Sequence, residues 1–384
     1  MIKYIGSKRR LAPVLATMAE RLGVQRALDL FTGTTRVAAA LKARGVHVTA
    51  VDTARYAHVF ARARIETDAD TLDDGALDDA LAWLQQLPGR PGYVTETFCR
   101  QARYFQPFNG ERIDAVRDAL EHELRDSPLF PVLLTSLIEA ADRVDSTTGV
   151  QMAYVKRWSD RSARPLELRR PELLAGPGVA LRGDACEAAG RLGHFDLAYV
   201  DPPYNQHRYY TNYHVWETLV AWDAPEHYGV ACKRLDSRDA AQKSVFNRRR
   251  EMPRALAELV RGVDASLVAL SYNDEAWLGL DELVAMCAVR GAVAVLAFEG
   301  PRYVGAQIGI HNPAGARVGT VGRLRNVEYL LLAGPDPLVR EAAGAARAGA
   351  AQPAAAGAGS ATRARSRRDV VDLHPINVAG GLSI

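Results

Sequence analysis

A short motif near the middle of the chain has residue types that could carry out chemistry. The apolar run FDLAYV ends in Asp201, Pro202, Pro203 and Tyr204. Proline has no backbone N–H to donate and disfavours a helical conformation in the residue before it, so a strand that reaches Asp201 must stop there. The motif predicts a carboxylate at the tip of a buried strand, followed by a rigid backbone and an aromatic ring. The alternative is that the motif has only a structural role, as a capped strand end followed by a turn.

Such a tip suits the exocyclic amino group of adenine, which is a poor nucleophile because its lone pair is delocalised into the ring. Two acceptors on the two amino hydrogens would free this lone pair, and the Asp201 carboxylate and the Pro202 carbonyl can supply them. The ring of Tyr204 could stack on a base that has left the duplex. The activated nitrogen could then attack a methyl sulfonium, a transfer that depends more on positioning than on a strong base.

A second motif lies upstream, in LDLFTGTTRVA at residues 28–38. It predicts a strand that ends at Phe31, a tight turn with Gly33 and a helix from about Thr34, where glycine admits a ligand and the helix offers free N–H groups. Asp52 ends the next apolar run, and an acid at that point suits a ribose. A loop with one glycine favours a phosphate-free adenosyl ligand over a dinucleotide. An ordinary strand–turn–helix with a solvated aspartate is the alternative.

The elements that must hold these residues can be read from the pattern of apolar residues. Strands are predicted at 26–31, 48–52, 179–184, 196–201, 266–272, 293–299 and 327–333, and helices at 35–44, 55–65, 254–263 and 275–289. Apolar strands that alternate with helices predict an α/β fold with a mainly parallel sheet covered on both faces. Ligands bind at the carboxyl ends of such strands, where Asp52, Asp184 and Asp201 are expected.

The spacing of these elements divides the chain into four regions. They are a first part at 1–85, a helical insert at 86–175, a second part at 176–335 with a basic insertion near 222–253, and an Ala/Gly/Arg-rich tail at 336–384. The insert is predicted from helical patterns in a span much longer than a crossover between parallel strands needs. Disorder is predicted for the tail, because it lacks large apolar residues to offset the entropy of ordering.

Composition limits the class of protein. The 384 residues are 48% apolar, enough for a substantial core, and the net charge of +3 says little about partners. Four scattered cysteines without a CxxC pair argue against a disulfide framework or a zinc ribbon and fit a reducing cytoplasm. No apolar run reaches membrane length. A soluble, cytoplasmic protein without a membrane partner is expected.

Two basic segments predict contact with nucleic acid. Residues 151–171 hold six basic and two acidic side chains, and residues 226–255 hold eight and four. Tyr154, Trp158 and Phe246 lie among them. Basic residues for phosphates with aromatic residues for bases are the expected footprint of DNA. Solvated surface is the alternative for either segment.

These motifs together resemble the Dam-like (alpha-order) family of N6-adenine-specific DNA methyltransferases. The resemblance rests on KYIGSKRRL at residues 3–11, on LDLFTGTTRVA followed by AVD, and on DPPY, and it covers roughly residues 1–335. It implies a Rossmann-like S-adenosylmethionine-dependent methyltransferase sheet with an inserted helical target-recognition region. Two features depart from the family pattern: Thr35 replaces the second glycine of the turn, and the segment after DPPY is longer and more aromatic.

The resemblance assigns roles to residues. It implies that Asp201, Pro202, Pro203 and Tyr204 are catalytic. It implies a cofactor site in which Lys8 holds the methionine carboxylate, Asp52 the ribose and Asp184 the adenine, and in which Tyr4, Phe31, Thr32 and Gly33 line the methionine part.

The resemblance also implies partners. These are S-adenosylmethionine and double-stranded DNA with a flipped adenine, and a cognate restriction endonuclease is a candidate partner; a monomer is expected. Two alternatives stay open. One is a methyltransferase of the same fold that acts on cytosine N4, RNA or protein, although serine or asparagine is usual at the Asp201 position of such enzymes. The other is a non-catalytic DNA-binding protein on this fold.

Overall fold

A computed structural model describes residues 1–6, 8–154, 157–204, 206, 208–301, 325–351 and 370–371. The strands are β1 (Arg26–Leu30), β2 (His47–Asp52), β3 (Val179–Arg182), β4 (Phe195–Val200), β5 (His227–Tyr228), β6 (Lys233–Arg234), β7 (Ala265–Asn273), β8 (Ala292–Pro301), β9 (Arg325–Gly334) and β10 (Val370–Val371). The helices are α1 (Leu11–Arg21), α2 (Arg36–Lys42), α3 (Arg55–Ala61), α4 (Asp74–Gln86), α5 (Pro107–Glu123), α6 (Phe130–Val144), α7 (Ala185–Ala189), α8 (Tyr209–Asn212), α9 (His214–Ala221), α10 (Met252–Gly262), α11 (Leu280–Cys287) and α12 (Asp336–Ala351). Within these ranges, no helix has the length and apolar character needed to cross a membrane.

The described residues form one large sheet in the order β10-β8-β9-β7-β4-β1-β2-β3. The strands from β7 to β3 run parallel, whereas β9 lies antiparallel between β7 and β8. The predicted α/β fold with a mainly parallel sheet is therefore confirmed. Each of the predicted strands is present, with bounds close to those expected.

The order of the strands reverses between β1 and β4. From β1 the chain continues to β2 on one side, with Leu30 opposite Val51, and β4 pairs with β1 on the other side, with Leu30 opposite Val200. The carboxyl ends of these three strands consequently lie side by side. Open α/β sheets bind their ligands at such a switch point.

The sheet is buried on both faces because successive residues of a strand point to opposite sides. In β4, Leu197 and Tyr199 pack with α1, α2 and α12, while Ala198 and Val200 pack with α7, α10 and α11. Both sets of positions must therefore be apolar, which explains why the strands read as continuous apolar runs.

The helical insert packs around a hydrophobic core that is rich in aromatic side chains. Helices α4, α5 and α6 pack around it together with α3 and α9. Its largest buried members include Tyr56, Phe98, Tyr104, Phe105 and Trp216. Leu77 and Leu84 of α4, which precede the predicted boundary at residue 86, also belong to this core.

The predicted disorder of the tail is wrong for residues 336–351, which form α12 and pack on α1. A β-carbon on Gly349 would lie 3.0 Å from Cβ of Thr17 and 3.2 Å from Cα of Val14, so the two helices approach closely. Alanine supplies helix propensity, and its small side chain permits this approach. The short strand β10 pairs with β8, and the rest of the predicted disordered tail lies outside the described residues.

Candidate active site

A cavity of about 340 Å³ lies at the carboxyl edge of the sheet, at the switch point. The predicted site residues that line it are Tyr4, Phe31, Asp52, Asp184, Asp201 and Pro203. A smaller recess beside it is lined by Lys8, Thr32 and Gly33, and it shares Tyr4, Phe31 and Asp201 with the cavity. Pro202 and Tyr204 line neither, although they follow Asp201 directly. A volume of this size is typical of small-molecule sites.

The turn after β1 has an unusual backbone. Phe31, Gly33 and Thr35 all have positive φ angles, of 72°, 53° and 62°. Glycine suits position 33 because its φ is positive and because a β-carbon there would lie 3.2 Å from the hydroxyl oxygen of Tyr4, which is a tight contact. Thr35, where the family pattern has its second glycine, adopts the left-handed conformation that a β-branched residue rarely takes.

Asp52 ties this turn to the end of β2. Its Oδ2 accepts a hydrogen bond of 2.9 Å from the backbone N–H of Gly33, and its Oδ1 accepts one of 2.9 Å from that of Ala54. Burial raises the pKa of the Asp52 carboxyl group, and these two hydrogen bonds oppose the rise. The carboxylate is thus held against the wall of the cavity by backbone groups.

Asp184 is positioned by the helix that it begins. Its Oδ1 accepts hydrogen bonds from the backbone N–H groups of Cys186 and Glu187, at 2.8 and 3.3 Å, and so caps α7. A cap of this kind stabilises a helix and fixes the carboxylate. Asp184 therefore has a structural role in addition to lining the cavity.

Asp201 takes part in an ion-pair network inside the site. The ammonium nitrogen of Lys8 lies 3.0 Å from Oδ1 of Asp201 and 2.6 Å from Oε1 of Glu328. Burial alone would lower the pKa of Lys8, but the two carboxylates outweigh it and hold this pKa well above its ordinary value. Burial raises the pKa of Asp201, and Lys8 opposes this rise while Glu328 adds to it.

A hydroxyl pair supports the same carboxylate from β7. Ser271 Oγ donates a hydrogen bond of 2.8 Å to Oδ1 of Asp201, and it lies 2.9 Å from the phenolic oxygen of Tyr199. The contacts of Lys8 and Ser271 with Asp201 therefore both fall on Oδ1.

Aromatic rings surround Tyr4, which lies near the start of the chain. Tyr4 stacks on Tyr213 at a centroid distance of 4.7 Å and on Tyr209 at 5.4 Å, and its hydroxyl lies 3.2 Å from that of Tyr56. Tyr204 packs on Tyr272 instead, with ring centroids 5.4 Å apart. The segment after DPPY thus contributes rings to the wall, which accounts for its aromatic character.

Several residues at the site were not identified from the sequence. Asp29 in β1 is buried, and burial raises the pKa of its carboxyl group to about 7. Thr32 and the N–H of Ala38 donate to its Oδ2, at 3.0 and 3.1 Å, whereas Oδ1 has no partner among the described residues. An acid within a buried apolar strand was the available signal. Glu328 offered the same signal, as an acid in the strand predicted at 327–333, whereas Ser271 offered none.

The basic insertion supplies one wall of the cavity rather than only a surface. The residues of this insertion that line the cavity are Gln242, Lys243, Ser244, Val245 and Asn247. The prediction that Phe246 faces DNA is wrong, because its side chain is fully buried against the ring of Phe31 at 5.0 Å. Its apolar ring packs under the cavity wall that the neighbouring residues form.

The two basic segments meet beside the site. Tyr104 Oη lies within hydrogen-bond distance of the backbone carbonyl oxygens of Gln151 and Ala231, at 2.6 and 3.0 Å, and the N–H of Gln151 donates to the carbonyl of Asn212 at 2.7 Å. Asn212 ends α8, which is the first described helix after DPPY. One end of each basic segment is therefore anchored to the same buried tyrosine.

Some basic side chains of these segments form ion pairs with acidic side chains of the same protein. Arg234 is buried and forms ion pairs of 2.7 Å with Asp223 and Asp236. Arg161 pairs with Asp145, and Arg170 pairs with Asp74 and Asp78. Arg249 and Arg250 are exposed.

Known proteins resemble this chain across most of its length. The family model described as D12 class N6 adenine-specific DNA methyltransferase matches residues 4–286. The Type II methyltransferase M.NlaIII of Neisseria lactamica is 29% identical over 297 residues, which cover 73% of this chain and 86% of the relative. The Type II methyltransferase M.CviAII of Paramecium bursaria Chlorella virus 1 is 27% identical over 314 residues, or 77% and 90%. The modification methylase StsI of Streptococcus sanguinis is 28% identical over 300 residues, but this chain covers only 45% of it.

Proposed function

Since the chain belongs to the D12 class N6 adenine-specific DNA methyltransferase family, it is a site-specific DNA methyltransferase that acts on adenine, and we propose which of its residues bind and which react. The family match decides against the open alternatives of cytosine N4, RNA and protein. The observation that carries the assignment of residues is the cavity at the switch point, where Asp52 and Asp201 line the same space.

S-adenosylmethionine is the methyl donor that fits this cavity. When bound, it supplies an electrophilic methyl group on a positively charged sulfur. The buried Oδ1 of Asp29 has no partner among the described residues, and a buried carboxylate oxygen needs a donor. The ammonium group of the methionine moiety is such a donor. A β-carbon at Gly33 would fill space next to Tyr4 in the same recess, which supports close approach of a ligand to this turn.

The other contacts of the cofactor follow the predicted roles. Asp52 accepts hydrogen bonds from the ribose hydroxyl groups, Asp184 reads the adenine, and Tyr4, Phe31, Thr32 and Gly33 line the methionine part. The contact of Lys8 with the methionine carboxylate has the weakest support, because its ammonium group already pairs with Asp201 and Glu328.

The reacting residues are those of the DPPY motif. The Asp201 carboxylate and the Pro202 carbonyl accept hydrogen bonds from the N6 amino group, Pro203 keeps that backbone rigid, and Tyr204 stacks on the flipped adenine. The bound donor would supply its methyl group to the N6 lone pair and keep the electrons of the broken C–S bond on its sulfur, while Asp201 and Pro202 hold the amino group in place. The N6 atom then carries a positive charge, and one of its protons passes to Asp201.

Double-stranded DNA is held on the surface where the two basic segments meet. At this surface, Met152 and Val230 are apolar yet 42% and 83% exposed, and Lys233 and Arg238 pack over the ring of Tyr228. Basic side chains there neutralise phosphates, and exposed apolar side chains can fill the space that a flipped base leaves. The insert that carries the first segment reads the base sequence.

The relatives named as Type II methyltransferases and modification methylases suggest the biological setting. The chain is the modification enzyme of a restriction–modification system, it acts as a monomer in the cytoplasm, and a cognate restriction endonuclease is its partner.

The test is a methylation map. The chain is expressed in a bacterial host without adenine methylation, and modified bases are located by single-molecule sequencing. We expect N6-methyladenine at one short recurring sequence, and none with the Asp201→Ala variant. Unmodified DNA, or modified cytosine, would contradict the proposal.

A further inference from the structure

The Lys8 ammonium group serves two carboxylates, of which the DPPY motif supplies only one. Lys8 is almost fully buried, with 6% of its side chain exposed, while Asp201 is 17% and Glu328 is 25% exposed. The distance from the ammonium nitrogen to Glu328 Oε1, 2.6 Å, is shorter than the 3.0 Å to Asp201 Oδ1. The three groups together carry a net charge of −1.

The position of Glu328 follows from the direction of β9. The antiparallel β9 begins at Arg325, so its first residues lie at the edge where the parallel strands end; Glu328 pairs in register with Asn273 of β7. Leu330, two residues further along, packs on the face that α1 covers. By the two-residue period of a strand, Glu328 points to that face, and the carbonyl of Lys8 accepts the first hydrogen bond of α1 from Ala12.

The charge balance matters for the reaction proposed above. Paired with Asp201 alone, Lys8 would neutralise the carboxylate that has to accept the N6 hydrogens, and its protons would compete for the same oxygen. The second carboxylate, that of Glu328, draws the Lys8 ammonium group away from Asp201. Positive charge moves from sulfur to N6 during the transfer, and a fixed negative charge close to N6 stabilises this change.

We propose that Glu328 is a positioning residue for methyl transfer, which shares the Lys8 ammonium group so that Lys8 does not fully neutralise the Asp201 carboxylate and the site keeps a net charge of −1. The inference rests on the proposed role of Asp201. It goes beyond that role by placing the control of its charge on a strand outside the DPPY motif. The other titratable groups that face the Lys8 ammonium are the phenols of Tyr199 and Tyr204.

The first test replaces Glu328 by its uncharged isostere. Glu328→Gln should lower kcat by about tenfold or more and leave the KM for DNA and the cofactor affinity within about twofold. The charge of Glu328 raises the pKa of Asp201, so the acid limb of the pH–rate profile should move to lower pH in this variant. Glu328→Asp keeps the charge and should retain more activity than Glu328→Gln. Glu299→Gln, on the neighbouring strand β8, is the matched control and should be unchanged.

The second test changes the net charge of the group formed by Lys8, Asp201 and Glu328. At saturating cofactor, Lys8→Met leaves two unpaired carboxylates and a charge of −2, which favours a protonated, inactive Asp201. Lys8→Met combined with Glu328→Gln restores −1 and should transfer methyl groups several-fold faster than Lys8→Met alone.

The outcomes separate this inference from the function on which it rests. A wild-type protein that methylates no adenine contradicts the proposed function. An active wild-type protein contradicts the role of Glu328 if Glu328→Gln has an unchanged kcat and pH profile, if the Asp and Gln variants are equally slow, or if the double variant is no faster than Lys8→Met. Circular dichroism confirms that each variant is folded.

Discussion

The backbone N–H of Gly33 donates a hydrogen bond of 2.9 Å to Oδ2 of Asp52. The turn after β1 and the end of β2 are therefore joined through the carboxylate proposed to bind the ribose. Binding and local structure depend on the same side chain, so a substitution at Asp52 needs a control that separates the two effects.

Asp52→Ala should weaken S-adenosylmethionine binding by roughly 1.5–3 kcal/mol, because a charged hydrogen-bond partner is lost. The measurement is titration calorimetry with the purified protein. Asp196 provides the control, since its Oδ2 also accepts two backbone hydrogen bonds, from Gln25 and Arg26 at 2.8 Å, but at the opposite end of β4 from the site. Asp196→Ala should lower stability and leave the cofactor affinity unchanged. Equal losses of affinity in both variants would contradict the ribose assignment.

Asp201→Ala should reduce methyl transfer at least about 100-fold and leave cofactor affinity within a few-fold, because Asp201 is proposed to contact the target amino group. Tritiated methyl transfer and cofactor binding are measured on the same preparation. Ser271→Ala, which removes the hydrogen bond to Oδ1 together with the contact to the Tyr199 hydroxyl but keeps the carboxylate, should give a smaller loss. Substantial transfer by Asp201→Ala would mean that another group accepts the N6 hydrogens.

Low pH should reduce the free energy of unfolding, because it protonates His214 in the unfolded state more readily than in the folded state. Burial lowers the pKa of this residue to about 3, and its Nε2 lies 2.9 Å from the carbonyl oxygen of Gln151. Because the folded-state pKa is depressed, the stability is fully present above the unfolded pKa of about 6.5 and is lost as the pH falls towards 3. Between pH 7.5 and pH 5 the loss is about 2 kcal/mol.

The comparison for His214 is urea unfolding of the wild type and His214→Phe at both pH values. The variant keeps an aromatic ring beside Phe98 and Tyr104 but cannot titrate. Its unfolding free energy should change less between the two pH values than that of the wild type. An equal change in both proteins would show that another group dominates this pH range.

Charge reversal at Arg249 and Arg250 should weaken DNA binding on all sequences and reduce the salt dependence of binding, since phosphate contacts release counterions without reading bases. Arg248 is a poorer target because it pairs with Glu251 at 3.0 Å. Arg44→Glu, at the far edge of the sheet where Arg44 pairs with Glu20, is the control. Fluorescence anisotropy at several salt concentrations measures both quantities. A change confined to the recognised sequence would place these arginines at base edges.

Truncation should distinguish the two parts of the tail. Removal of residues 352–384 deletes only the two-residue strand β10 from the described sheet, so it should lower stability slightly and leave the recognised sequence unchanged. Removal of residues 336–384 also deletes α12 and exposes the α1 face on which it packs, and it should lower the unfolding free energy by about 3–5 kcal/mol. Thermal unfolding and methylation maps of both truncated chains test this. Equal stability of the two would contradict the packing of α12.

The strands of the sheet could be predicted from the sequence because burial on both faces leaves a local pattern, a continuous run of apolar residues. Strands buried on both faces must be apolar at every position, and the acids that end β2 and β4 interrupt those runs. The bounds of the strands and the proximity of Asp52 to Asp201 could therefore be read from the chain. Tail residues such as Ala345 and Ala346 were misread because small residues bury little area each, and only close packing on α1 makes a helix of them favourable.

The residues that were missed depend on tertiary structure. Glu328 belongs to the site only because β9 runs antiparallel, and the direction of a strand leaves no trace in its pattern of apolar residues. Phe246 sits in a basic segment that looks like surface, yet it packs against Phe31 far away in sequence. Arg234, counted as a phosphate contact, is instead held by two acids on neighbouring loops.

The contact between Lys8 and Glu328 also joins residues that are made at very different times during synthesis of the chain. The two residues are 320 positions apart (328 minus 8), and the ribosome adds residues at about 5–20 per second. Lys8 therefore leaves the ribosome roughly 15–60 s before Glu328 does. In that interval, a nascent chain that ends before Glu328 contains Lys8 and Asp201 but lacks the second carboxylate of their network. By the charge argument above, a chain in which β9 has not yet joined the sheet should transfer methyl groups about tenfold more slowly than the finished enzyme.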